Sequence, residues 1–237
     1  MDKVFTIQRK MCWRCHRAKN ACWCHMLSVI PTKSRFVILM HPKEAKKERL
    51  GTGRMSHQFL ENSKLLVGLD FALNPEFLNL YLDNNYQSVL LYPGKRSMLL
   101  RQVSFGDSRP LQIFIIDGTW PCAKKLLKMN SLLHLLPLIS FQNNSPSKFD
   151  IKQQPKSFCL STIEAIYYCL VELNFSNRET IDRPEILLDA LKFIVDFQVK
   201  CAKDPNIPSY RKKNYTEVNQ RTPSKKWQKR SLFLNLG

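Results

Sequence analysis

Four short apolar runs constrain this chain more than any other feature: Arg35-Phe36-Val37-Ile38-Leu39-Met40, Ser88-Val89-Leu90-Leu91-Tyr92-Pro93, Gln112-Ile113-Phe114-Ile115-Ile116-Asp117 and Leu136-Pro137-Leu138-Ile139-Ser140-Phe141. Each is continuous rather than alternating, the pattern of a strand covered on both faces in a parallel sheet. Helical patterns fit between and after them, over about 44–64, 121–130, 160–174 and 184–202. The third opens on Ser161 with Glu164 three residues on, the spacing of a capping box. Strand then helix, repeated, predicts an α/β domain: a mostly parallel sheet with flanking helices, its ligand site at the carboxyl ends of the strands. Met129, Leu132, Leu133 and Leu135 are expected in the core.

The two ends differ from this body. Residues 1–35 are crowded with Cys, Trp and basic side chains and lack the aliphatic periodicity to build a core alone. From Asp204 the chain reads as a basic tail, in which Arg211, Lys212, Lys213, Arg221, Lys225, Lys226, Lys229 and Arg230 face only Asp204 and Glu217. The expected organisation is therefore a Cys-rich module over 1–35, an α/β domain over 36–203 and a tail over 204–237. Only seven Gly and no internal repeat argue against a flexible tether between two large domains. With 37 Lys+Arg against 19 Asp+Glu the formal charge is +18, which points first to nucleic acid as partner. No apolar run reaches the ~18 residues of a membrane span. A role on a membrane surface lacks a matching amphipathic helix. The N-terminus has no secretory h-region, so a cytoplasmic, reducing setting is expected, with thiols or metal ligands rather than disulfides.

Cys12-x2-Cys15-x6-Cys22-x-Cys24 places four of the eight cysteines within thirteen positions, in the segment least able to pack. Four thiolates suit tetrahedral Zn²⁺, and a Cys-x2-Cys turn supplies two from one knuckle. The alternatives are free thiols or an iron–sulfur cluster, for which the spacing is short and the surroundings wet. His16 and His25 are spare nitrogen ligands. Cys122, Cys159, Cys169 and Cys201 stand singly and read as small hydrophobes. Trp13 and Trp23 alternate with Arg14, Arg17 and Lys19, a mixture that either stacks on bases and touches phosphates or packs the module onto the body.

The run 113–116 ends in Asp117-Gly118-Thr119-Trp120, followed by Pro121 at a favoured first helical position. A carboxylate, a hydroxyl and a large aromatic at a strand end can hold an adenosine-type ligand, although such an Asp also serves as a helix cap.

The Cys-x2-Cys and Cys-x-Cys pairs, His41-Pro42-Lys43-Glu44, the Thr52-Gly53-Arg54 turn, Leu91-Tyr92-Pro93, Asp117-Gly118-Thr119-Trp120 and Leu160-Ser161-Thr162-Ile163-Glu164-Ala165 occur in one order. Over about residues 10–200 the chain resembles the DTW-domain family of tRNA-uridine aminocarboxypropyltransferases. The resemblance implies a SPOUT-like fold with a trefoil-knotted C-terminal half. It also implies S-adenosylmethionine as donor and transfer of its 3-amino-3-carboxypropyl group to N3 of a tRNA uridine. One departure is Gly51, where family members commonly carry Asn before the Thr-Gly-Arg turn, and no role is carried to it.

Uridine N3 must lose its proton on or before attack, so a nearby carboxylate acts as base or orients the base edge. Asp117 is the first choice for that role and Glu164 the second. Leu91, Tyr92, Pro93, Asp117, Thr119, Trp120, Ser161 and Thr162 are expected to wall the donor pocket. Arg14, Arg17, Lys19, His41, Glu44, Arg54, Arg211, Lys212 and Lys213 are expected on the RNA side. His41-Pro42 read alone is a strand-ending turn, and Glu44 a first-turn helix residue. A SPOUT-type methyltransferase using the same donor, and a non-catalytic zinc-containing RNA-binding module, are the competing readings. A monomer is expected.

Overall fold

The computed structural model of the chain describes residues 10–47, 51–143, 145–149, 159–204, 216–217 and 220–221. Six strands form one sheet: β1 (Arg35–Met40), β2 (Ser63–Val67), β3 (Gln87–Leu91), β4 (Met98–Leu99), β5 (Leu111–Asp117) and β6 (Leu138–Ser140). Their order is β2-β1-β5-β3-β6-β4, and every pairing is parallel. Six α-helices accompany them: α1 (Pro42–Lys47), α2 (Thr52–Phe59), α3 (Pro75–Tyr81), α4 (Trp120–Met129), α5 (Thr162–Phe175) and α6 (Ile186–Lys203).

The continuous apolar runs feed two cores at once. Because side chains alternate across a strand, Phe36 and Ile38 of β1 and Ile113 and Ile115 of β5 face one layer, where α2, α5 and α6 contribute Met55, Ile166, Leu170 and Leu191. Val37, Leu39 and Phe114 face the other layer, with Phe77 of α3 and Leu126 and Leu127 of α4. A strand wet on one face would have alternated, so burial on both faces is what made these runs readable.

Three expectations need correction. The single helix over 44–64 is two helices and a strand: α1, α2 with Gly51 as its N-cap, and then β2. Strand β2 lies at the sheet edge with an alternating burial pattern, so its sequence SKLLV carries no continuous apolar signal. The Thr52-Gly53-Arg54 segment is accordingly the first turn of α2 rather than a loop turn. Leu133 is fully buried and Leu132 packs against the core, but Met129 and Leu135 are exposed (42% and 74%). Met129 ends α4 and Leu135 ends a short 3-10 turn, where the helical periods that would bury them break. Cys159 and Cys169 are buried as small hydrophobes, while Cys122 and Cys201 are only half-buried.

Residues 10–34 pack onto the body rather than standing apart. Cys12, Cys15, Trp23 and Ile30 belong to the same core cluster as α2, α5 and α6. Ile30 bridges to Leu60, with its N–H donating to the Phe59 carbonyl at 2.7 Å. The tail positions Arg211, Lys212, Lys213, Lys225, Lys226, Lys229 and Arg230 lie outside the described residues. No described helix is long and apolar enough to cross a membrane.

Candidate active site and metal centre

Chain order places the site. From β1 the chain steps to β2 on one side and then crosses to β3 on the other, so the order reverses about β5, whose carboxyl end is Asp117. In open α/β sheets that reversal leaves a crevice beyond the strand ends. Met40, the last residue of β1, stands in register with Asp117, and the His41 N–H donates to the Asp117 carbonyl at 3.0 Å.

Asp117 is 5% exposed, and two helix starts meet its carboxylate. The Thr162 hydroxyl, at the first position of α5, donates to Asp117 Oδ1 at 2.5 Å. Gly53, at the second position of α2, presses against the other side: a Cβ placed there would lie 2.6 Å from Cγ and 2.7 Å from Oδ2 of Asp117. Only a residue without a side chain lets the backbone come so near. Helix N-termini favour negative charge, which suits an ionised Asp117 between them.

His41 and Glu44 follow from local chain chemistry. His41 caps α1: Pro42 takes the first helical position, and the Lys43 N–H donates to His41 Nδ1 at 3.1 Å. Glu44, the third helical residue, sends Oε1 across to accept from the Thr119 N–H at 3.3 Å. That bond ties α1 to the loop after β5. Gly118 keeps the same corner tight, since a Cβ there would meet the Cys122 Cβ at 3.2 Å and the His41 Cβ at 3.5 Å. Burial pushes the His41 imidazole below its ordinary pKa; the Lys43 and Lys125 ammonium groups add to that, and Glu44 opposes it. His41 is neutral near pH 7.

Glu164 is a structural clamp. Its carboxylate accepts from the Ser161 N–H (2.8 Å) and hydroxyl (2.6 Å), the Ser147 hydroxyl (2.7 Å) and the Lys148 N–H (2.6 Å). The capping box is thus formed as its spacing predicts, and the same carboxylate fastens residues 147–148 over the start of α5. Four donors on one buried carboxylate hold it ionised and leave it unsuited to exchange a proton.

The other predicted residues divide. Leu91 and Tyr92 are buried at the end of β3, each belonging to one core layer, and Trp120 packs against the second layer. Pro93 is half-buried beside them. Arg54, in the first turn of α2, donates to the Ala45 carbonyl at 3.4 Å and so bridges to α1. Trp13 is 84% exposed, whereas Trp23 is 1% exposed and its indole N–H donates to Gln58 Oε1 at 2.9 Å. The two readings of this Trp pair therefore divide between them. Arg17 is buried over the Trp23 ring, 5.2 Å from its centroid, while Arg14 and Lys19 are exposed. Sequence reasoning missed Gly53 as the wall behind Asp117; its one signal was a Gly inside a helical stretch, which asks for a packing reason.

The four thiols of Cys12, Cys15, Cys22 and Cys24 lie within 4.8 Å of one another and could hold a metal ion. Cys12 Sγ is 3.7 Å from Cys24 Sγ, and Cys15 Sγ is 3.6 Å from Cys22 Sγ. Tetrahedral thiolates about 2.3 Å from Zn²⁺ are about 3.8 Å apart, so the set fits that ion. Backbone N–H groups of Cys15 and Arg14 hold the Cys12 thiol down to about 6, and the Cys24 N–H donates to Cys22 Sγ at 3.4 Å. Burial pushes the Cys15 and Cys24 thiols up, a cost that a bound cation removes. Neither spare histidine belongs to the cluster: His16 sits at a left-handed φ of 54°, and the His25 ring packs edge-on against Phe193 of α6.

Comparison with known proteins agrees with this layout. The DTW domain model matches residues 9–199. A Drosophila melanogaster protein named tRNA-uridine aminocarboxypropyltransferase 2 is 36% identical over 185 residues, covering 75% of this chain and 72% of its own length. The mouse protein of the same name is 28% identical, covering 83% of this chain and 68% of its own length. The Arabidopsis thaliana tRNA-uridine aminocarboxypropyltransferase A is 23% identical, with 83% of each chain covered. No solved structure matches. With four-fifths of its length spanned by that model and the motif carboxylate buried at the switch point of its sheet, the chain belongs to the DTW domain family.

Proposed function

We propose that this protein is a tRNA-uridine aminocarboxypropyltransferase, joining the 3-amino-3-carboxypropyl group of S-adenosylmethionine to N3 of a tRNA uridine. One observation carries the reading: a buried Asp117 at the sheet's switch point, held between the starts of α2 and α5. The names of the relatives support the same activity. A carboxylate fixed in this way addresses an N–H or an ammonium, while two helix starts favour a carboxylate, and the donor's amino-acid end carries both charges. The site therefore fits that donor by charge. Tyr92, Pro93, Thr119 and Trp120 stand where they would line its adenosine, with Ser161 and Thr162 on the α5 side.

The bound donor supplies an activated carbon on its sulfonium and departs as methylthioadenosine. Asp117 accepts the N3 proton or holds the N3–H edge in place, with Thr162 fixing the carboxylate's orientation. Glu164 keeps Thr162 in position by capping α5. The uridine leaves its stack to reach the strand ends, at a cost of a few kcal/mol unless it already lies in a loop. Zn²⁺ bound by Cys12, Cys15, Cys22 and Cys24 braces the N-terminal segment against the core. Arg14, Lys19, Arg54 and the tail residues Arg211, Lys212 and Lys213 supply salt-dependent attraction to phosphates. The protein acts as a monomer in the cytoplasm.

Calorimetric titration with S-adenosylmethionine tests the site. Micromolar to sub-millimolar binding by the wild type, lost in Asp117→Ala with unchanged circular dichroism, is the expected result. Absence of wild-type binding at millimolar donor overturns the reading.

A further inference from the structure

His41 carries a second, unassigned piece of chemistry. Its Nδ1 accepts the Lys43 N–H at 3.1 Å, so the ring proton resides on Nε2. A proton on Nδ1 would collide with that amide hydrogen, so the turn Pro42-Lys43 enforces one neutral tautomer. The groups around the ring agree: the Lys43 and Lys125 ammonium groups oppose a charged ring, Glu44 is turned to the Thr119 amide, and burial favours the neutral form. Nε2–H has no partner among the described residues. His41 also sits beside the predicted reacting carboxylate, its backbone N–H bonded to the Asp117 carbonyl and its Cβ 3.5 Å from where a Gly118 Cβ would stand.

A carboxylate acceptor next to a fixed N–H donor complements one edge of uracil. That edge presents a carbonyl oxygen, then N3–H, then a second carbonyl oxygen. Cytosine presents an unprotonated N3 and an amino group at the corresponding places, and would set acceptor against acceptor and donor against donor. We propose that His41 is a catalytic residue that donates its Nε2–H to a uracil carbonyl oxygen while Asp117 addresses the adjacent N3–H, selecting uracil and holding the charge that deprotonation spreads onto that oxygen. The N3 proton passes to the Asp117 carboxylate, the N3 electron pair forms the new N–C bond, and the C–S electron pair leaves with the neutral thioether sulfur. His41 gains and loses no proton. It works as a neutral donor aimed at developing negative charge, the arrangement that is effective in a site closed to water.

This inference rests on the transferase reading above. His41→Asn tests it with least harm to the fold, because Asn is a preferred N-cap and keeps an acceptor for the Lys43 N–H while lacking a donor at the Nε2 position. Two tRNA transcripts serve as substrates, one with uridine and one with 5-fluorouridine, whose N3 proton is more acidic and whose anion needs less help. In single turnovers at saturating S-adenosylmethionine, His41→Asn is expected to slow the uridine transcript by about 10²- to 10³-fold, the range for loss of one such donor. On the 5-fluorouridine transcript the same variant should lose at least tenfold less, and its affinity for S-adenosylmethionine should equal the wild type's. Equal losses on both transcripts, wild-type rates on both, or weakened donor binding overturn the role of His41. A wild-type protein that modifies neither transcript overturns the transferase reading and this inference with it.

Discussion

Alanine at position 53 separates damage to the site from damage to the fold. Its Cβ would fall 2.6 Å from Asp117 Cγ and 2.7 Å from Oδ2. An ordinary carbon–carbon contact is about 3.5–4.0 Å, so the carboxylate must withdraw by about 1 Å. The Thr162 hydroxyl, fixed at the start of α5, cannot follow without unseating the capping box behind it. Overpacking of this kind costs about 1–3 kcal/mol, while alanine gains about 1 kcal/mol over glycine within a helix. The net loss is about 0–2 kcal/mol, or a fall in Tm of several degrees for a chain of this size. Misplacing a reacting group by about 1 Å costs about 10²-fold in rate. Gly53→Ala should thus melt within several degrees of the wild type yet transfer about a hundredfold more slowly. Gly106→Ala is the control, because nothing lies within 4 Å of its added carbon. Melting followed by fluorescence, together with single-turnover transfer from labelled S-adenosylmethionine, reads both quantities. Wild-type rates in Gly53→Ala would refute the placement of Asp117 as the reacting carboxylate.

Other perturbations follow from the same geometry. Elemental analysis of the purified protein should find about one zinc per chain, falling to a small fraction in Cys15→Ser; full occupancy in that variant would mean the four thiols are not the site. Trp23→Ala should cost about 3–5 kcal/mol, as removal of a fully buried aromatic does, whereas Trp13→Ala should leave the denaturation midpoint unchanged and weaken tRNA binding. Glu164→Ala strips four hydrogen bonds from the start of α5; it should lower stability by several kcal/mol, since each donor left unsatisfied costs about 1–3 kcal/mol, and Ser161→Ala should be milder. Removal of residues 211–237 should weaken tRNA binding and flatten its salt dependence while sparing S-adenosylmethionine binding; equal loss of both would place the tail within the folded body.

The strands legible in sequence were those buried on both faces. β1 and β5 occupy the middle of the sheet and read as unbroken apolar runs, whereas β2 exposes every other side chain at the edge and disappeared into a helical pattern. Helix α3 was missed although it carries a standard start: Asn74 accepts from the Phe77 N–H at 2.9 Å, and Pro75 stands at the first position. β4, two residues long, has no pattern to read. At the site, Asp117, Thr162, His41 and Glu44 were legible as polar residues closing apolar runs or opening helices. Their relations were not, because the Gly53 contact with Asp117 joins residues 64 positions apart and the Glu44 bond to Thr119 spans 75. Glu164 shows the limit most clearly, since its spacing from Ser161 announced a cap while the partners at 147–148 that consume its second oxygen are set by tertiary packing.

The central claim is that Asp117, held between α2 and α5, directs transfer of an aminocarboxypropyl group to uridine N3. Mass spectrometry of nucleosides and small-molecule products after incubation of tRNA, S-adenosylmethionine and protein tests it most directly. The account predicts 3-(3-amino-3-carboxypropyl)uridine and methylthioadenosine in equal amounts with the wild type, and neither with Asp117→Ala. Methylated uridine with S-adenosylhomocysteine, or full product from Asp117→Ala, would contradict it.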